Sequence, residues 1–235
     1  MTVEAEPFAQ ELARAAGLDL GAYRQEHVSE RVRRALDREG VRDVAALAAL
    51  VRSDAAARSR FRRSIAVSVS GPFRDPAQFD LLQHELLPPI VAGGGRIRVW
   101  SAGCADGSEL CSVAIVLARL GAVERSFLLG SDVLDENLQA AEASAEVLAR
   151  DVRAHIRWER RDLVRDGAPP GKWALVLCRN LAIYLNRKAK QSLHELLAGA
   201  LAANGILLLG RSERLSEPRA LGLERVGPHA YRKVL

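Results

Sequence analysis

Along the first quarter of the chain, apolar positions recur every three or four residues, the period of a helix with one buried face. In PFAQELARAAG these are Phe8, Leu12 and Ala15, and Gly17 supplies a left-handed stop. AYRQEHVSERVRRALDREG repeats the pattern with Tyr23, Val28, Val32 and Leu36 and ends at Gly40. VRDVAALAALVRSD does so with Val44, Leu47, Leu50 and Val51, with Asp43 placed to cap it, and AAARSRFRRSIAV makes a fourth helix. Four short helices joined by short loops predict a small bundle over residues 1–70.

The period then changes. Gly71 followed by Pro72 breaks the helical run, and Asp75 and Pro76 stand as cap and first residue of a new helix. That helix carries Phe79, Leu81, Leu82, Leu86 and Leu87, and Pro88 with Pro89 is expected to close it. Ile97, Val99 and Trp100 open a buried strand, followed by the turn GCADG and a helix capped by Ser108 or Asp106, with Leu110, Val113, Ala114 and Leu117 inside. SFLLGSDV (126–133), IRWERRD (156–162), WALVLCRN (173–180) and GILLLG (205–210) read as four further strands. LDENLQAAEASAEVL and RKAKQSLHELLAGALA read as helices between them, and LERVG with AYRKVL as a closing antiparallel pair. The expected architecture is α/β: an N-terminal helical bundle, then a Rossmann-like, mostly parallel seven-stranded sheet over residues 71–235.

Composition narrows the class. With 49% hydrophobic residues the chain can bury a large core, yet no apolar run is long enough to span a membrane. The N-terminal stretch carries acids where a secretory signal carries bases, so a cytoplasmic location is expected. Cys104, Cys111 and Cys178 are odd in number and widely spaced, which argues for packing rather than a disulfide framework or a metal site. The net charge of +5 is concentrated in Arg24, Arg31, Arg33, Arg34 and Arg38, and in Arg58, Arg60, Arg62 and Arg63. Such clusters suit an acidic partner, a nucleic acid, or simply a solvated helix face. No aromatic platforms accompany them in the basic helices, which disfavours single-stranded nucleic acid.

In a doubly wound sheet, ligands sit beyond the carboxyl ends of the strands. The residues there are the turn bounded by Gly103 and Gly107, then Asp132, Asp162 with Leu163, and Arg179 with Asn180. The first turn is expected to bring backbone N–H groups close to a ligand, and Asp132 to meet a ribose diol with two acceptor oxygens. An adenosine-containing cofactor fits this set, and the lack of GxGxxG leans away from NAD.

The segments FRDP, WSAGCADGSELCS, SDV, LCRNLAIYLN, GILLLGRSERL and a final YRK occur in that order over almost the whole chain. Together they resemble the chemotaxis-type protein-glutamate O-methyltransferases, the CheR family, whose motifs run T-x-FFRD, WSAGCSTGEEPYS, SDI, CRNVLIYF and LGHSE. AYRQEHVSERVRRAL is similar to that family's N-terminal domain. The resemblance implies methyl transfer from S-adenosylmethionine, leaving S-adenosylhomocysteine, to glutamates on an acidic, helical chemoreceptor cytoplasmic domain. It places Ser68, Ser70, Arg74, Glu109, Asp132, Asp162 and Leu163 on cofactor-binding positions, and Arg74 and Tyr184 near the reacting groups. Arg31 and Arg34 would dock the acidic substrate helix.

The sequence departs from the family at several points. Pro72 replaces a Phe, Ser68 and Ser70 stand for Asn and Thr, and Asp106 and Ser108 replace a Thr and an acid. Leu110 and Cys111 replace a Pro-Tyr pair, and Arg211 a His. The stretch between Asp132 and Asp162 is also short, where the family carries a small antiparallel subdomain that grips receptor tails. The expected activity is therefore tether-independent glutamate methylation. Two alternatives stand beside it: a cofactor-binding relative with another target or a scaffold role, and a basic nucleic-acid adaptor.

Overall fold

The computed structural model describes residues 5–66 and 71–234, with side chains from residue 10 onward. Two compact units emerge, Met1–Ser68 with Tyr184–Lys190, and Val69–Ile183 with Gln191–Leu235.

The first unit contains α1 (Ala5–Ala16), a 3-10 turn (Leu20–Ala22), α2 (Gln25–Glu39), α3 (Val44–Ser53) and α4 (Ala55–Ile65). Gly17 and Gly40 stop their helices with φ near +64°. Asp43 caps α3 by accepting from the Ala46 N–H, and Asp54 caps α4 by accepting from Ala56 and Ala57. Leu12, Leu47, Val51, Phe61 and Ile65 form the core. On α2 the expected Val28, Val32 and Leu36 are only half-buried, and the small Ala35 is the residue fully enclosed. The segment from Tyr184 joins this unit through main-chain bonds: Arg24 N–H to Tyr184 O, Asn186 N–H to Ala22 O, and a bridge of Tyr23 with Leu185. The His27 ring lies 4.9 Å from the Tyr184 ring, and its Nε2 is 2.9 Å from Ile65 O.

Glu39, at the end of α2, ties that helix to α4. Arg60 grips it with Nε and Nη2 at 3.0 and 2.7 Å, and Arg38 adds a third bond. Hydrogen bonds from Arg60 and Arg38 hold its carboxyl down at about 2. Glu39→Gln is expected to cost roughly 1–2 kcal/mol at neutral pH, between the values of exposed and buried pairs. A depressed folded-state pKa stabilises above the unfolded value of about 4.3 and ceases to do so as pH falls towards that of the folded state. Denaturant melts of wild type and variant should therefore converge as pH drops from above 4 to about 2.

The second unit opens with α5 (Pro76–Leu81), a π-helical turn (Leu82–Leu86) and α6 (Leu87–Ala92). Pro88 and Pro89 therefore do not close the helix. The Leu87 N–H reaches back to Leu82 O, and this wider turn restarts the helix so that the prolines fall in its first turn, where a missing N–H costs little. There follow β1 (Ile97–Ala102), α7 (Ser108–Arg119), β2 (Ser126–Asp132), α8 (Asp135–Ala145), α9 (Arg150–Arg153), β3 (Ile156–Arg160) and β4 (Trp173–Cys178). Then come α10 (Arg187–Ala200), whose first turn belongs to the other unit, β5 (Leu201–Leu209), β6 (Leu223–Gly227) and β7 (Ala230–Lys233).

The seven strands form one sheet in the order β3-β2-β1-β4-β5-β7-β6. β1 to β5 run parallel, and the closing pair is antiparallel, as expected. Strand β5 starts four residues earlier than GILLLG, with an irregular register opposite β4. Val99, Trp100, Leu175, Leu177, Leu207 and Leu208 are fully buried, as a sheet covered on both faces requires. The strand order reverses between β1 and β4, where a doubly wound sheet opens a crevice. Among the described residues only α9 intervenes between α8 and β3, so no small antiparallel subdomain occupies that connection.

Candidate active site

The turn after β1 is locked onto β2. Gly103, Ala105 and Gly107 take positive φ of 73°, 50° and 73°. The N–H groups of Gly103 and Cys104 both donate to Ser131 O at 2.9 Å, Ala105 N–H donates to Asp132 Oδ2 at 3.0 Å, and Gly107 N–H to Cys104 O. These N–H groups are therefore spent within the fold, and the open cradle expected from the sequence is not present. The cap of α7 is also corrected. Gly107 holds the cap position without a side-chain bond, while Asp106 Oδ1 accepts from the Ser108 N–H. A Cβ on Gly107 would stand 2.5 Å from Trp158 Cη2 and 2.7 Å from Ala141 Cβ, so only glycine passes there.

Asp132 ends β2 almost fully buried. Its Oδ1 accepts from the Leu134 N–H and Asn137 Nδ2, and its Oδ2 from Ala105. Burial pushes this carboxyl up, and those donors pull it partly back. The Val133 N–H also bonds this carboxylate, so donors of the fold itself face all of its roughly four lone-pair positions. The two free oxygens expected for a ribose diol are therefore not present.

The centre of the site is a residue that the sequence placed only at a strand end. Arg179 follows β4 with its side chain 4% exposed. Its Nε donates to Gln78 Oε1, Nη1 to Glu109 Oε2, and Nη2 to both Arg74 O and Asp75 Oδ2, all between 2.7 and 2.9 Å. Asp75 precedes α5 but does not cap it. Its carboxylate is taken by Arg179 and, at 3.3 Å, by Arg211. Glu109 also accepts from Ser101 Oγ; burial raises its pKa, and Arg179 opposes that shift. Four residues, Arg74, Asp75, Gln78 and Glu109, thus meet at one guanidinium. The signal for it was a lone arginine following the apolar run Leu175, Val176, Leu177, Cys178.

Asn180 sits next to it at φ 62°, and its side-chain amide has no hydrogen-bond partner among the described residues. Asp162 folds its own loop, its Oδ1 accepting from Val164 N–H at 3.0 Å, with Leu163 half-buried beside it. Ser68 and Ser70 lie outside the described residues. Tyr184 belongs to the first unit, as do Arg31 and Arg34. Arg34 Nε donates to Glu30 Oε1 at 2.6 Å, and Arg31 is half-buried. Burial raises the pKa of all three thiols, Cys111 to about 11 and Cys104 and Cys178 well above the usual thiol value, so none is a nucleophile at neutral pH. No metal-holding cluster of His, Cys, Asp and Glu occurs among the described residues.

The Asn180 side-chain amide, which has no partner among the described residues, and the buried acids Glu109 and Asp132 beside a glycine turn fit the polar and charged parts of S-adenosylmethionine. Fold and site define an S-adenosylmethionine-dependent methyltransferase. The family described as "CheR methyltransferase, SAM binding domain" matches residues 68–145 and 141–225, and "CheR methyltransferase, all-alpha domain" matches 4–66. The chain belongs to the CheR methyltransferase family. It is 26% identical to a chemotaxis protein methyltransferase of Listeria innocua, over 96% of this chain and 95% of that one. It is also 26% identical to chemotaxis protein methyltransferase 1 of Pseudomonas aeruginosa, over 90% of each. Magnesium protoporphyrin IX methyltransferase of Synechocystis, solved with bound S-adenosylmethionine, aligns at TM-score 0.45 and 19% identity over 72% of this chain and 86% of that one. No helix among the described residues is long and apolar enough to cross a membrane.

Proposed function

We propose that this protein methylates glutamate side chains on a chemoreceptor-like helical protein in the cytoplasm, without a tether to the receptor tail. The Arg179 cluster carries the reading. It joins the FRDP segment, the helix after the β1 turn and the CRN turn at one point beyond the strand ends, through bonds to Asp75, Gln78 and Glu109. The short connection from α8 through α9 to β3 supports tether independence.

Arg74, Glu109, Asp132, Asp162, Leu163 and Asn180 would hold the cofactor, with Ser68 and Ser70 beside them and Gly103 and Gly107 shaping the turn. S-adenosylmethionine supplies an electrophilic methyl group on a sulfonium sulfur. The accepting glutamate is ionised near neutrality, with a reference pKa of about 4.3, so no residue here has to remove a proton. What remains for the chain is alignment and exclusion of water. On the family resemblance, Arg74 would hold the incoming carboxylate or the cofactor's own, Tyr184 would orient by its hydroxyl, and Arg31 and Arg34 would attract the acidic helix. Arg34 shares its charge with Glu30, so Arg31 contributes the larger part of that attraction.

The test is a transfer assay with methyl-labelled S-adenosylmethionine and the cytoplasmic domain of a chemoreceptor from the same genome. Label is expected on the receptor and is released as methanol in mild base, as a carboxyl methyl ester requires. Label that survives base would point to another acceptor atom. Failure of both S-adenosylmethionine and S-adenosylhomocysteine to bind in calorimetry would remove the methyltransferase reading altogether.

A further inference from the structure

The segment GRSERL follows the fifth strand, and its glutamate makes none of the bonds gathered around Arg179. Glu213 is fully buried, and no cationic side chain pairs with its carboxylate among the described residues. Its partners are backbone donors. Oε2 accepts from the Asn180 N–H at 2.7 Å and the Gly210 N–H at 2.9 Å, and Oε1 from the Ala182 N–H at 2.7 Å. Such bonds are what a buried carboxylate without a counter-ion requires.

The residue is itself held in place. Its N–H donates to Gly210 O at 2.8 Å, and its carbonyl accepts from His229 Nδ1 at 2.6 Å. Two residues on, the Leu215 N–H donates to the Tyr231 hydroxyl at 3.1 Å. The closing hairpin thus fixes Glu213, and Glu213 fixes the turn after β4. That turn holds Asn180 at φ 62°, a left-handed conformation that is uncommon outside glycine and that asparagine reaches more readily than most residues. Gly210 lets the two loops approach, since a Cβ there would stand 2.9 Å from Asn180 N.

We infer that Glu213 is a positioning residue for cofactor binding: its carboxylate sets the left-handed turn at Asn180 before the ligand arrives. The inference rests on the reading of these strand-end turns as the S-adenosylmethionine site. Without the Oε2 acceptor the turn relaxes, and the Asn180 amide leaves the position from which it can meet a ligand.

Calorimetric titration of the full chain with S-adenosylhomocysteine tests this. Glu213→Gln keeps the size and one acceptor oxygen but presents an N–H₂ group to amides that need an acceptor. Well below the variant's Tm, Kd is expected to rise about tenfold or more, with a less favourable binding entropy, because the ligand must now order the turn. An unchanged Kd in the folded variant, even with a lower Tm, would overturn the inference. Should the variant not fold, amide hydrogen exchange on the wild type decides. The N–H groups of Asn180 and Ala182 should be protected without ligand and gain little with it. Protection that arises only on binding would show that the ligand, not Glu213, sets the turn. A wild-type chain that binds no S-adenosylhomocysteine overturns the cofactor reading itself, whereas binding with equal Kd in both proteins overturns only the role of Glu213.

Discussion

Arg179→Met should destabilise the second unit by roughly 3–5 kcal/mol, the range seen when one partner of a buried ion pair is removed. The guanidinium is 4% exposed and satisfies Glu109, Asp75, Gln78 and the Arg74 carbonyl together. Methionine fills much of the space and removes four donated bonds, leaving, among the described residues, Asp75 with Arg211 alone and Glu109 with the Ser101 hydroxyl. At about 2–4 °C per kcal/mol for a domain of this size, Tm should fall by roughly 10 °C. Arg179→Lys, which keeps the charge but not the planar fork, should recover only part of the loss. The pH dependence is diagnostic. Burial already raises the Glu109 carboxyl, and Arg179 pulls it back, so the variant's Glu109 titrates higher still. A raised folded-state pKa stabilises below the unfolded value of about 4.3 and ceases to do so as pH climbs through the folded one. The gap to wild type is therefore widest at neutral pH and narrows in acid. A gap that did not change with pH would mean that Glu109 is not held by Arg179.

Gly107→Ala should be the most damaging change in the β1 turn. Its φ of 73° costs a residue with a side chain roughly 1–2 kcal/mol. The new methyl group would also lie 2.5 Å from Trp158 and 2.7 Å from Ala141, and displacing a packed ring adds roughly 1–3 kcal/mol. Gly40→Ala is the control. It has a similar φ of 64° but nothing within 4 Å, so it pays the strain alone. Thermal melts should separate the two by several degrees, and only the Gly107 variant should lose S-adenosylhomocysteine binding. Equal losses in both variants would leave backbone strain as the whole effect.

The hydrophobic periods were enough to read seven strands, their mostly parallel arrangement and the helical first unit, because the central strands bury both faces and each helix one. The shortness of the stretch between Asp132 and Asp162 was likewise legible as a missing subdomain. What the sequence hid was partner choice. Asp75 stands where a cap belongs, yet Arg179, 104 residues away, takes its carboxylate. The N–H groups of the β1 turn looked available because the sequence cannot show that Ser131 and Asp132 reach them. Pro88 and Pro89 looked like a stop because a π-turn leaves no period of its own. Arg179 and Glu213 were the least visible, since a charged residue beyond an apolar strand reads as solvent-facing until the loops are seen to fold over it.

The three buried thiols make the site its own reporter. Cys104 lies in the β1 turn, Cys111 faces inward from α7 and Cys178 immediately precedes Arg179, and all are 6% exposed or less. Because a thiol reagent needs both access and a thiolate, alkylation must wait for these elements to open. The rate of labelling at each position then measures how often that element opens, with no probe introduced, and a ligand that tightens the β1 turn should slow Cys104 most.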